Sequence, residues 1–268
     1  MRSAVIVKLG GSAITDKSRE CTPNLSVLGR SVDELAGYPG PLVVLHGGGS
    51  YAHPIVTWAG LDKGYKGGSQ NRSISETEFF LDQLTRIVGV SLMRRGRDFV
   101  CLRPMSFMIL DKGRIIQALL HPIRKALELG LTPVIHGDLV FDKTNGVSVV
   151  SADRIASFLS ERLQNRGVIF GCNVDGVFTE DPKVSRRAVL IERIGKGDVK
   201  SLLEAWKQVN PTDATGNMLG KVRESIRIAR GGRESCILNL TKKGVLADAL
   251  FRRPFRGTRF LPWKKKVV

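Results

Sequence analysis

The chain has 268 residues, of which 42% are hydrophobic and 25% charged, and its formal net charge at pH 7 is +17. That length allows one large α/β domain or two smaller lobes, and no apolar stretch approaches the roughly 20 residues of a membrane-spanning helix. The four cysteines are scattered without a CxxC pair, which argues against a structural zinc site and predicts reduced thiols. The N-terminus leads directly into a predicted strand without the pattern of a signal peptide, so we expect a cytoplasmic protein.

The first predicted element is a buried strand over residues 4–9, which ends in a Gly-Gly-Ser turn. Gly10 and Gly11 carry no Cβ, so the backbone of this turn can approach a ligand closely. Lys8 lies near the end of the strand and Lys17 follows the turn. Backbone N–H groups and cations gathered at a strand end suit a phosphate. The alternative is an ordinary buried strand with a glycine turn and two solvated lysines.

The second predicted strand, residues 42–45, follows an amphipathic helix over 25–37 and runs into His46 and three consecutive glycines. Three glycines in a packed interior lose entropy and contacts, so we expect them to expose backbone N–H groups to an oxyanion. His53 lies four residues after Gly49 in the first turn of the next helix, where it can donate a hydrogen bond to phosphate. The alternative for His53 is a surface or core histidine.

Residues 62–75 are rich in glycine and lysine, lack apolar periodicity and are predicted to form a mobile loop. A helix is predicted from about Ser75, because Ser75 and Glu78 have the spacing of a capping box and apolar residues follow at helical spacing. The adjacent Phe79 and Phe80 are predicted to pack in the core, with the wall of a ligand pocket as the alternative.

The middle of the chain is predicted to contain short strands and a helix. One hairpin turns at Asp111-Lys112-Gly113, and the helix ends at Gly130. The predicted strands are 100–102, 108–110 and 115–116, and the predicted helix covers 122–129.

The next predicted strand, residues 132–135, leads to His136-Gly137-Asp138 and then to a hairpin that runs to Val147. Asp153 opens a helix predicted over residues 154–165. Asp153 is either the N-cap of this helix or a residue of the reaction centre.

The last third of the chain repeats the pattern of a strand followed by a polar loop or a helix. The strand over 168–170 leads to Asp175 and Gly176. The stretch 212–221 opens a helix that runs through Ala229, and Lys221 is placed where this helix begins. Strands that alternate with helices and end in polar, glycine-rich loops predict a mainly parallel sheet with its ligand site at the strand C-termini.

The segment after Ala249 is strongly basic and contains interleaved aromatic residues. This composition is typical of a tail that contacts nucleic acid or an anionic membrane surface. The alternative is a terminal strand with a frayed, solvated end, and the positive field also attracts anionic small molecules. The basic residues are Arg252, Arg253, Arg256, Arg259, Lys264, Lys265 and Lys266, and the aromatic ones are Phe251, Phe255, Phe260 and Trp263.

Six short motifs occur along the chain in the order KLGGS, HGGGSYAH, HGD, SAD, VDGVF and TGNMLGK. A Walker A motif, the protein-kinase motifs and a strand followed by Gly-x-Gly-x-x-Gly are absent from the sequence. In residues and order the six motifs resemble those of the amino acid kinase superfamily, and within it the chain is most similar to the isopentenyl phosphate kinases. That closer resemblance is carried by His53, Ile14-Thr15-Asp16-Lys17 and His136-Gly137-Asp138.

The resemblance implies an α/β fold, an open αβα sandwich with a mainly parallel central sheet, formed by a single domain over residues 1–268. It implies an acceptor-binding lobe over about 1–165 and a nucleotide-binding lobe over about 166–268. The implied reaction is ATP-dependent phosphorylation of isopentenyl phosphate to isopentenyl diphosphate in isoprenoid biosynthesis. The implied cofactor is Mg²⁺, with no metal-ligating side chain assigned, and the implied assembly is a homodimer. No specific nucleic acid is expected, and weak contact with anionic membranes is expected at most, through the basic tail.

The resemblance also implies roles for the residues that match the motifs. Transfer to an acceptor that is already an ionised phosphate needs alignment and charge neutralisation more than a general base. Asp153 matches the organising aspartate of that family, and the resemblance implies that it holds the lysines in place rather than acting as a base. The implied catalytic set is Lys8, Lys17, His53, Asp153 and Lys221; the nucleotide contacts are Lys8, Gly10, Gly11, Ser12, Gly49, Asp175, Gly176, Asn217 and Lys221; and the acceptor contacts are Gly48, Gly49, His53 and Gly137. The helix of Phe79 and Phe80 is expected to line the prenyl pocket.

Three positions depart from the pattern of that family. Ala52 and Asn217 stand where glycine is usual, and Arg154 stands where an acid is usual. Asparagine tolerates positive φ better than most residues, which makes the change at Asn217 mild. The change from an acid to Arg154 is expected to affect metal coordination or nucleotide preference.

Two other functions are compatible with these residues. One is a related kinase for another phosphate or phosphonate, such as fosfomycin or UMP, because His53 alone does not distinguish small phosphorylated acceptors. The other is a non-catalytic nucleotide- or RNA-binding regulator that uses the basic surface. The joint presence of the three lysines and Asp153 speaks against a regulator, since a binding module has no need of that set.

Overall fold

The computed structural model describes residues 3–182, 184–209 and 217–263; the motif residues Thr215 and Gly216 and the tail lysines at 264–266 lie outside this part of the chain. The strands are β1 (Ala4–Leu9), β2 (Leu42–His46), β3 (Phe99–Cys101), β4 (Met108–Asp111), β5 (Arg114–Ala118), β6 (Thr132–His136), β7 (Asp138–Asp142), β8 (Gly146–Val150), β9 (Asn165–Cys172), β10 (Arg193–Ile194), β11 (Ser235–Asn239) and β12 (Gly257–Phe260). The helices are α1 (Gly11–Ile14), α2 (Leu25–Ala36), α3 (His53–Trp58), α4 (Asn71–Met93), α5 (Pro104–Phe107), α6 (His121–Glu128), α7 (Ala152–Arg162), α8 (Val199–Val209), α9 (Asn217–Arg230) and α10 (Val245–Leu250).

The larger sheet has the strand order β10-β12-β11-β9-β1-β2-β6-β3 in the described chain. From β11 to β3 every neighbouring pair is parallel, whereas β12 runs antiparallel to β11 and β10 lies parallel to β12. The central strand β1 has β2 on one side and β9 on the other, and all six of its residues are buried. A strand buried on both faces requires a nearly continuous apolar run, which residues 4–7 supply.

Helices cover both faces of the larger sheet. On one face α7 and α9 pack through residues such as Ile155 and Ile226. On the other face α2, α4 and α10 pack through residues such as Leu28, Val88 and Leu246. The predicted α/β class, the αβα layering and the mainly parallel sheet are therefore confirmed.

Local sequence sets several element boundaries as predicted. The side chain of Asn24 caps α2 by accepting a hydrogen bond from Val27 N at 3.2 Å, and α2 ends at Gly37. Helix α6 ends before Gly130, whose φ of +79° favours glycine after a helix C-terminus. The predicted hairpin at Asp111-Lys112-Gly113 joins β4 to β5.

The predicted loop over residues 62–75 is wrong in its last part, because α4 begins at Asn71. The Ser75 hydroxyl donates to the Asn71 carbonyl at 3.2 Å, which is the contact of a residue inside a helix. Ser75 and Glu78 therefore do not form a capping box. The helix start escaped the apolar pattern because the polar Ser73 occupies its buried face before Ser75.

The prediction that Phe79 and Phe80 both pack in the core is wrong for Phe79. Its side chain is 59% exposed, whereas Phe80 is half-buried against the core on the α4 side of the sheet. Adjacent residues on a helix point about 100° apart, so the two rings do not enter the same core.

The smaller sheet, with the order β5-β4-β7-β8 in the described chain, is held by the carboxylate of Asp142. Burial alone would raise the pKa of Asp142, but its hydrogen-bond donors lower that pKa to about 2. This carboxylate joins the turns of both hairpins. Its donors are Lys112 N, Gly113 N, Thr144 N, Asn145 N and Ser148 Oγ.

The C-terminal segment packs its aromatic side chains against the rest of the chain. Phe260 is buried, Arg259 lies over the Phe255 ring at 4.7 Å, and Arg230 lies over the Trp263 ring at 5.1 Å. The terminal strand that the sequence offered as an alternative is therefore present as β12. Among the described helices, none combines the length and apolar character needed to cross a membrane.

Candidate active site

A cavity of about 690 Å³ opens beside the C-terminal ends of β1, β2 and β6, the edge of the sheet where a ligand site is predicted. The chain passes from β1 to its neighbour β2 on one side and returns only later to β9 on the other side, so the strand order reverses at β1. Open α/β sheets bind ligands at such a point. The structure brings ten residues of the predicted site to this cavity. They are Lys8, Gly11, Ser12, Lys17, Gly48, Gly49, His53, Gly137, Asp153 and Lys221.

Three buried charged side chains from three different elements meet beside the cavity. Lys8 Nζ on β1 lies 2.9 Å from Asp153 Oδ1, and Lys221 Nζ on α9 lies 3.2 Å from Asp153 Oδ2 on α7. Buried charges are costly unless they are paired, and one carboxylate here faces two ammonium groups. The cluster therefore keeps one positive charge in excess, which attracts an anion.

The pKa shifts of this cluster follow from burial and pairing. Burial lowers the pKa of Lys8; Asp153 opposes this shift, and Lys221 adds to it. Burial alone would raise the pKa of Asp153, but the two lysines and their hydrogen bonds hold it below its ordinary value. Asp153 is therefore ionised at neutral pH and is a poor proton acceptor, which suits a residue that positions cations.

The loops after β1 and β2 approach each other so closely that only glycine fits. Gly49 has a φ of +52°, and a Cβ there would lie 2.1 Å from Thr15 Oγ1. A Cβ on Gly11 would lie 2.5 Å from the backbone nitrogen of Gly49. The Thr15 hydroxyl joins the loops: it donates to the Gly11 carbonyl at 2.7 Å and accepts from Ser50 N at 3.0 Å. The backbone of both loops can therefore line the cavity.

His53 lines the cavity from the first turn of α3, with one side of its ring open to solvent. Partial burial lowers the pKa of His53, and Lys17, Lys8 and Lys221 lower it further. The imidazole is therefore neutral at neutral pH in the free protein. An approaching phosphate would offset these lysines and raise the pKa of the ring.

The remaining lining of the cavity is largely aliphatic. Helix α4 supplies Thr77 and Leu81, α3 supplies Val56, and the β7–β8 hairpin supplies Leu139 and Val149, which are paired across the two strands. A small apolar surface next to a cationic region suits a ligand with a short hydrocarbon group and a phosphate.

Phe79 and Phe80 are not among the residues that line this cavity, although their helix α4 does line it. Residues four apart share one face of a helix, so Thr77 and Leu81 face the cavity while Phe79 points to solvent. The helix that was expected to line the pocket therefore does line the cavity, through Thr77 and Leu81, whereas the two phenylalanine rings do not form its wall.

Gly10, Asp175 and Gly176 also lie outside the lining of this cavity, and the Asn217 side chain lies outside what the structure describes. A Cβ on Gly10 would lie 2.6 Å from the carbonyl oxygen of Gly171, so this glycine lets the end of β1 approach β9.

The Asp175 carboxylate already has partners within the chain. It accepts hydrogen bonds from Asn239 Nδ2 at 2.8 Å and from Arg256 Nε at 2.6 Å. The next residue, Gly176, approaches Thr258 so closely that a Cβ would lie 2.5 Å from its Oγ1. These contacts tie the ends of β9 and β11 to the C-terminal segment.

The start of α7 rules out one of the two roles considered for Asp153, that of N-cap. The N-cap is Ser151, whose side chain accepts a hydrogen bond from Arg154 N at 3.2 Å, and this leaves Asp153 facing the lysines. Arg154 Nη1 lies 3.7 Å from Glu224 Oε1 on α9, outside the described lining of the cavity. Ala52 has a φ of −128°, so the departure from glycine there causes no left-handed strain.

Sequence reasoning missed several residues that line the cavity. Thr57 lies four residues after His53 on α3, so helical spacing alone places both side chains on one face. Thr77 and Leu81 lie in the part of α4 that was predicted as a helix, but the face that lines the cavity was not assigned to them. Asp62 lies in the stretch predicted as a mobile loop, which begins with a helical turn at Leu61–Lys63.

A cationic cavity at the strand ends of an open αβα sandwich defines a class of protein, and comparison of the sequence gives the same class. The chain belongs to the amino acid kinase family, whose model matches residues 3–239.

The chain is 36% identical over 269 residues to isopentenyl phosphate kinase from Methanothermobacter thermautotrophicus, covering 95% of this chain and 98% of that protein. It is 30% identical over 271 residues to acetylglutamate kinase from Deinococcus radiodurans, covering 96% and 100%. An X-ray structure of isopentenyl phosphate kinase superposes with a TM-score of 0.84 at 32% identity, covering 96% of this chain and 99% of that one. The resemblance to the isopentenyl phosphate kinases predicted from the sequence is confirmed.

Proposed function

We propose that this protein transfers the γ-phosphoryl group of ATP to isopentenyl phosphate and forms isopentenyl diphosphate for isoprenoid biosynthesis. The observation that carries this proposal is the meeting of the Lys8–Asp153–Lys221 cluster, His53 and an aliphatic wall in one cavity. The relatives named isopentenyl phosphate kinase, which align with nearly the whole chain, support the same assignment.

The acceptor fits the two halves of the cavity. Its phosphate lies against His53 and the backbone of Gly48, Gly49 and Gly137, and its prenyl chain lies against the aliphatic wall. A neutral His53 donates one hydrogen bond to the phosphate. Burial of the short chain contributes about 3 kcal/mol at about 0.8 kcal/mol for each buried methylene, so the wall favours a prenyl phosphate over inorganic phosphate.

Transfer proceeds by direct displacement at phosphorus. An oxygen of the acceptor phosphate forms a bond to the γ-phosphorus while the bond to the β,γ-bridging oxygen breaks, and ADP leaves with that electron pair. The attacking oxygen is already ionised, so no proton has to be removed. Lys8 and Lys221 neutralise the charge that spreads over the transferring oxygens, Asp153 holds both lysines in place, and Lys17 adds a third cation.

ATP lies between the glycine turn after β1 and the ends of β9 and β11. The backbone at Gly10, Gly11 and Ser12 contacts its phosphates, and Asp175, Gly176 and Asn217 line the remainder of its pocket. Because the carboxylate of Asp175 is paired with Asn239 and Arg256, its contribution is to fix the shape of that pocket.

Mg²⁺ is the cofactor that we propose for this site. Among the described residues, no group of three or more His, Cys, Asp and Glu side chains is arranged to hold a metal ion, and Asp153 already faces two lysines. A bound Mg²⁺ would be held mainly by the phosphate oxygens of ATP and would neutralise their charge. Arg154 faces Glu224, so its departure from the family pattern does not place a cation at that metal.

We also propose a homodimeric cytoplasmic enzyme with an acceptor lobe over about 1–165 and a nucleotide lobe over about 166–268. The lobes are supported by the sheet, in which β1, β2, β6 and β3 lie on one side and β9, β11, β12 and β10 on the other. Four free cysteines support a reducing compartment. The homodimer rests on the family resemblance. Membrane contact of the basic tail is weak because its aromatic rings already contact arginines.

The proposal is tested by ATP-dependent phosphorylation of isopentenyl phosphate, with fosfomycin, UMP and N-acetylglutamate as parallel acceptors. We expect isopentenyl phosphate to give the highest kcat/KM. Turnover of another acceptor alone would agree with the family of kinases but would rule out isopentenyl phosphate as the substrate. If none of the four acceptors is phosphorylated and the protein still binds nucleotide, the result would favour a non-catalytic regulator.

The acceptor site is tested by His53→Ala. We expect kcat/KM for isopentenyl phosphate to fall about 100-fold, because one donor to the transferring anion is lost. His121→Ala is the matched control, since His121 is exposed at the start of α6 and lies outside the cavity lining. Equal activity of the two variants would contradict the assignment of His53.

A further inference from the structure

Asp138 is a buried carboxyl directly beneath the acceptor half of the cavity. It follows Gly137, lines the cavity and is only 3% exposed. Its Oδ2 accepts a hydrogen bond from Met105 N at 3.0 Å. Its Oδ1 has no hydrogen-bond donor among the described residues, and the ring nitrogen His136 Nδ1 lies 3.8 Å away.

A second buried carboxyl oxygen faces Asp138 from helix α4. Glu78 Oε1 also lacks a donor among the residues described, and the Glu78 and Asp138 side chains lie within hydrogen-bonding contact of each other. Two ionised carboxylates do not share a buried contact, whereas a single proton between them satisfies both oxygens. Burial and then Glu78 raise the pKa of Asp138 well above its ordinary value, which is the shift expected of such a pair.

The charged and titratable groups around the pair do not remove the need for this proton. His136 on β6 is buried, and burial lowers its pKa despite the acids nearby; burial also lowers the pKa of His46, on neighbouring β2, to about 3. Asp82, one turn along α4 from Glu78, is paired with Arg103, which precedes α5. Both histidines are therefore neutral, and the arginine already has an acid.

The two elements that the carboxyl pair joins are opposite sides of the acceptor pocket. Helix α4 places Thr77 and Leu81 in the cavity on either side of Glu78 in sequence, and the turn after β6 places Gly137 there. We propose that Glu78 and Asp138 share one proton, and that this proton holds α4 against the β6–β7 turn and so positions the acceptor pocket. Both are positioning residues in this reaction. The proposal rests on the proposed function, because it takes isopentenyl phosphate as the acceptor.

The shared proton makes acceptor binding depend on pH in one direction. At neutral and acid pH the pair keeps its proton and the pocket is closed around the acceptor. When the pH rises through the raised pKa, the two carboxylates repel and α4 separates from the turn. The KM for isopentenyl phosphate then rises while the KM for ATP, which does not contact this pair, stays constant.

The test compares wild type with Glu78→Gln, Glu78→Leu and the matched control Glu76→Gln, which alters an acid of the same helix paired with Arg72. The glutamine amide donates the hydrogen bond that the shared proton makes, so Glu78→Gln keeps the neutral-pH KM and loses its alkaline rise. Glu78→Leu raises the KM for isopentenyl phosphate about tenfold at every pH, the effect of one lost hydrogen bond to a charged group. Glu76→Gln behaves as wild type.

Infrared spectroscopy of the free protein tests the proton without any substrate. We expect a protonated-carboxyl band at pH 7 in wild type and Glu76→Gln that disappears in Glu78→Gln and in Asp138→Asn. A band that survives both substitutions, or an unchanged KM in folded Glu78→Leu, would overturn the proposal. If isopentenyl phosphate is not a substrate but the band behaves as expected, the proposed function fails and the shared proton stands.

Discussion

At the scale of single residues, the site depends on backbone approach as much as on charge. Gly49 and Gly11 bring two strand ends so close together that the Thr15 hydroxyl can bond to both loops. The same convergence places Lys8 and His53 on one cavity, although they lie on different elements. A side chain at Gly49 would therefore disturb the geometry of the site without removing a functional group.

Gly49→Ala is expected to abolish most of the activity. The new Cβ would meet Thr15 Oγ1 at 2.1 Å at a φ of +52°, so the loop has to move. We expect a loss of about 2–4 kcal/mol in the free energy of unfolding and at least a 100-fold fall in kcat/KM, measured by urea denaturation and the kinase assay. Gly130→Ala is the control, because Gly130 has a φ of +79° with no atom within 4 Å of the added Cβ. Equal stability losses with unchanged activity in both variants would contradict this interpretation.

Residues placed by local sequence were predictable, and residues placed by long-range packing were not. Lys8, Gly11 and His53 follow directly from strands whose apolar runs identify them, so their position at the C-terminal edge could be inferred. The partners of Asp175 could not, because Asn239 and Arg256 approach it from other strands of the sheet region. A single sequence contains no spacing pattern that predicts contacts between residues so far apart in the chain.

At the scale of elements, polar contacts between α7 and α9 fix the place of Lys221. The first contact is the ion pair of Asp153 with Lys221, and further contacts follow along both helices at helical spacing. Glu224 is largely buried; burial raises its pKa, and Ser157 and Arg154 partly offset that shift. The additional pairs are Arg154–Glu224 and Glu161–Arg227.

Arg154→Ala is expected to lower kcat about tenfold with little change in the KM for isopentenyl phosphate. Removal of the guanidinium leaves Glu224 largely buried without its cation, so α9 shifts and displaces Lys221 from the transferring group. The double variant Arg154→Glu/Glu224→Arg is expected to recover most of kcat, with a coupling energy of about 1 kcal/mol in a double-mutant cycle. Arg223→Ala, on an exposed position of α9, serves as control. A double variant no better than the single ones would show that the pair does not position Lys221.

The helices and strands differed in how well the sequence predicted them. Strands β1, β2 and β6 are buried on both faces and contain apolar runs, so they were predicted nearly to the residue. Of β9, only the central residues 168–170 were predicted, because its first residues are polar and partly exposed. The start of α4 was missed because glycines precede it and the polar Ser73 occupies its buried face. The face of α4 that lines the cavity was missed because it includes the polar Thr77, which an apolar pattern does not identify.

At the scale of the whole molecule, the chain carries a net charge of +17 and the two proposed ligands are both anions. Exposed cations act on a diffusing ligand through solvent, where salt shortens their range. The buried Lys8–Asp153–Lys221 cluster acts at contact distance and is screened far less. The dependence of the kinetic constants on salt concentration therefore distinguishes the long-range attraction by exposed cations from the contacts made by the buried cluster.

We expect kcat/KM for isopentenyl phosphate to fall several-fold when the ionic strength rises from about 0.01 to about 0.1 M, while kcat changes little. Over that interval the Debye length falls from about 30 to about 10 Å, which removes the long-range attraction but not the contacts inside the cavity. The assay is run in sodium chloride and in sodium glutamate, with free Mg²⁺ held constant. A fall in chloride alone would mean competition by chloride at the phosphate site, and no fall in either salt would mean that the positive surface does not steer the acceptor. If kcat fell in parallel with kcat/KM, the charges that salt screens would act in the transfer step itself. That result would contradict the view that the exposed cations only attract the ligand while the buried cluster acts in transfer.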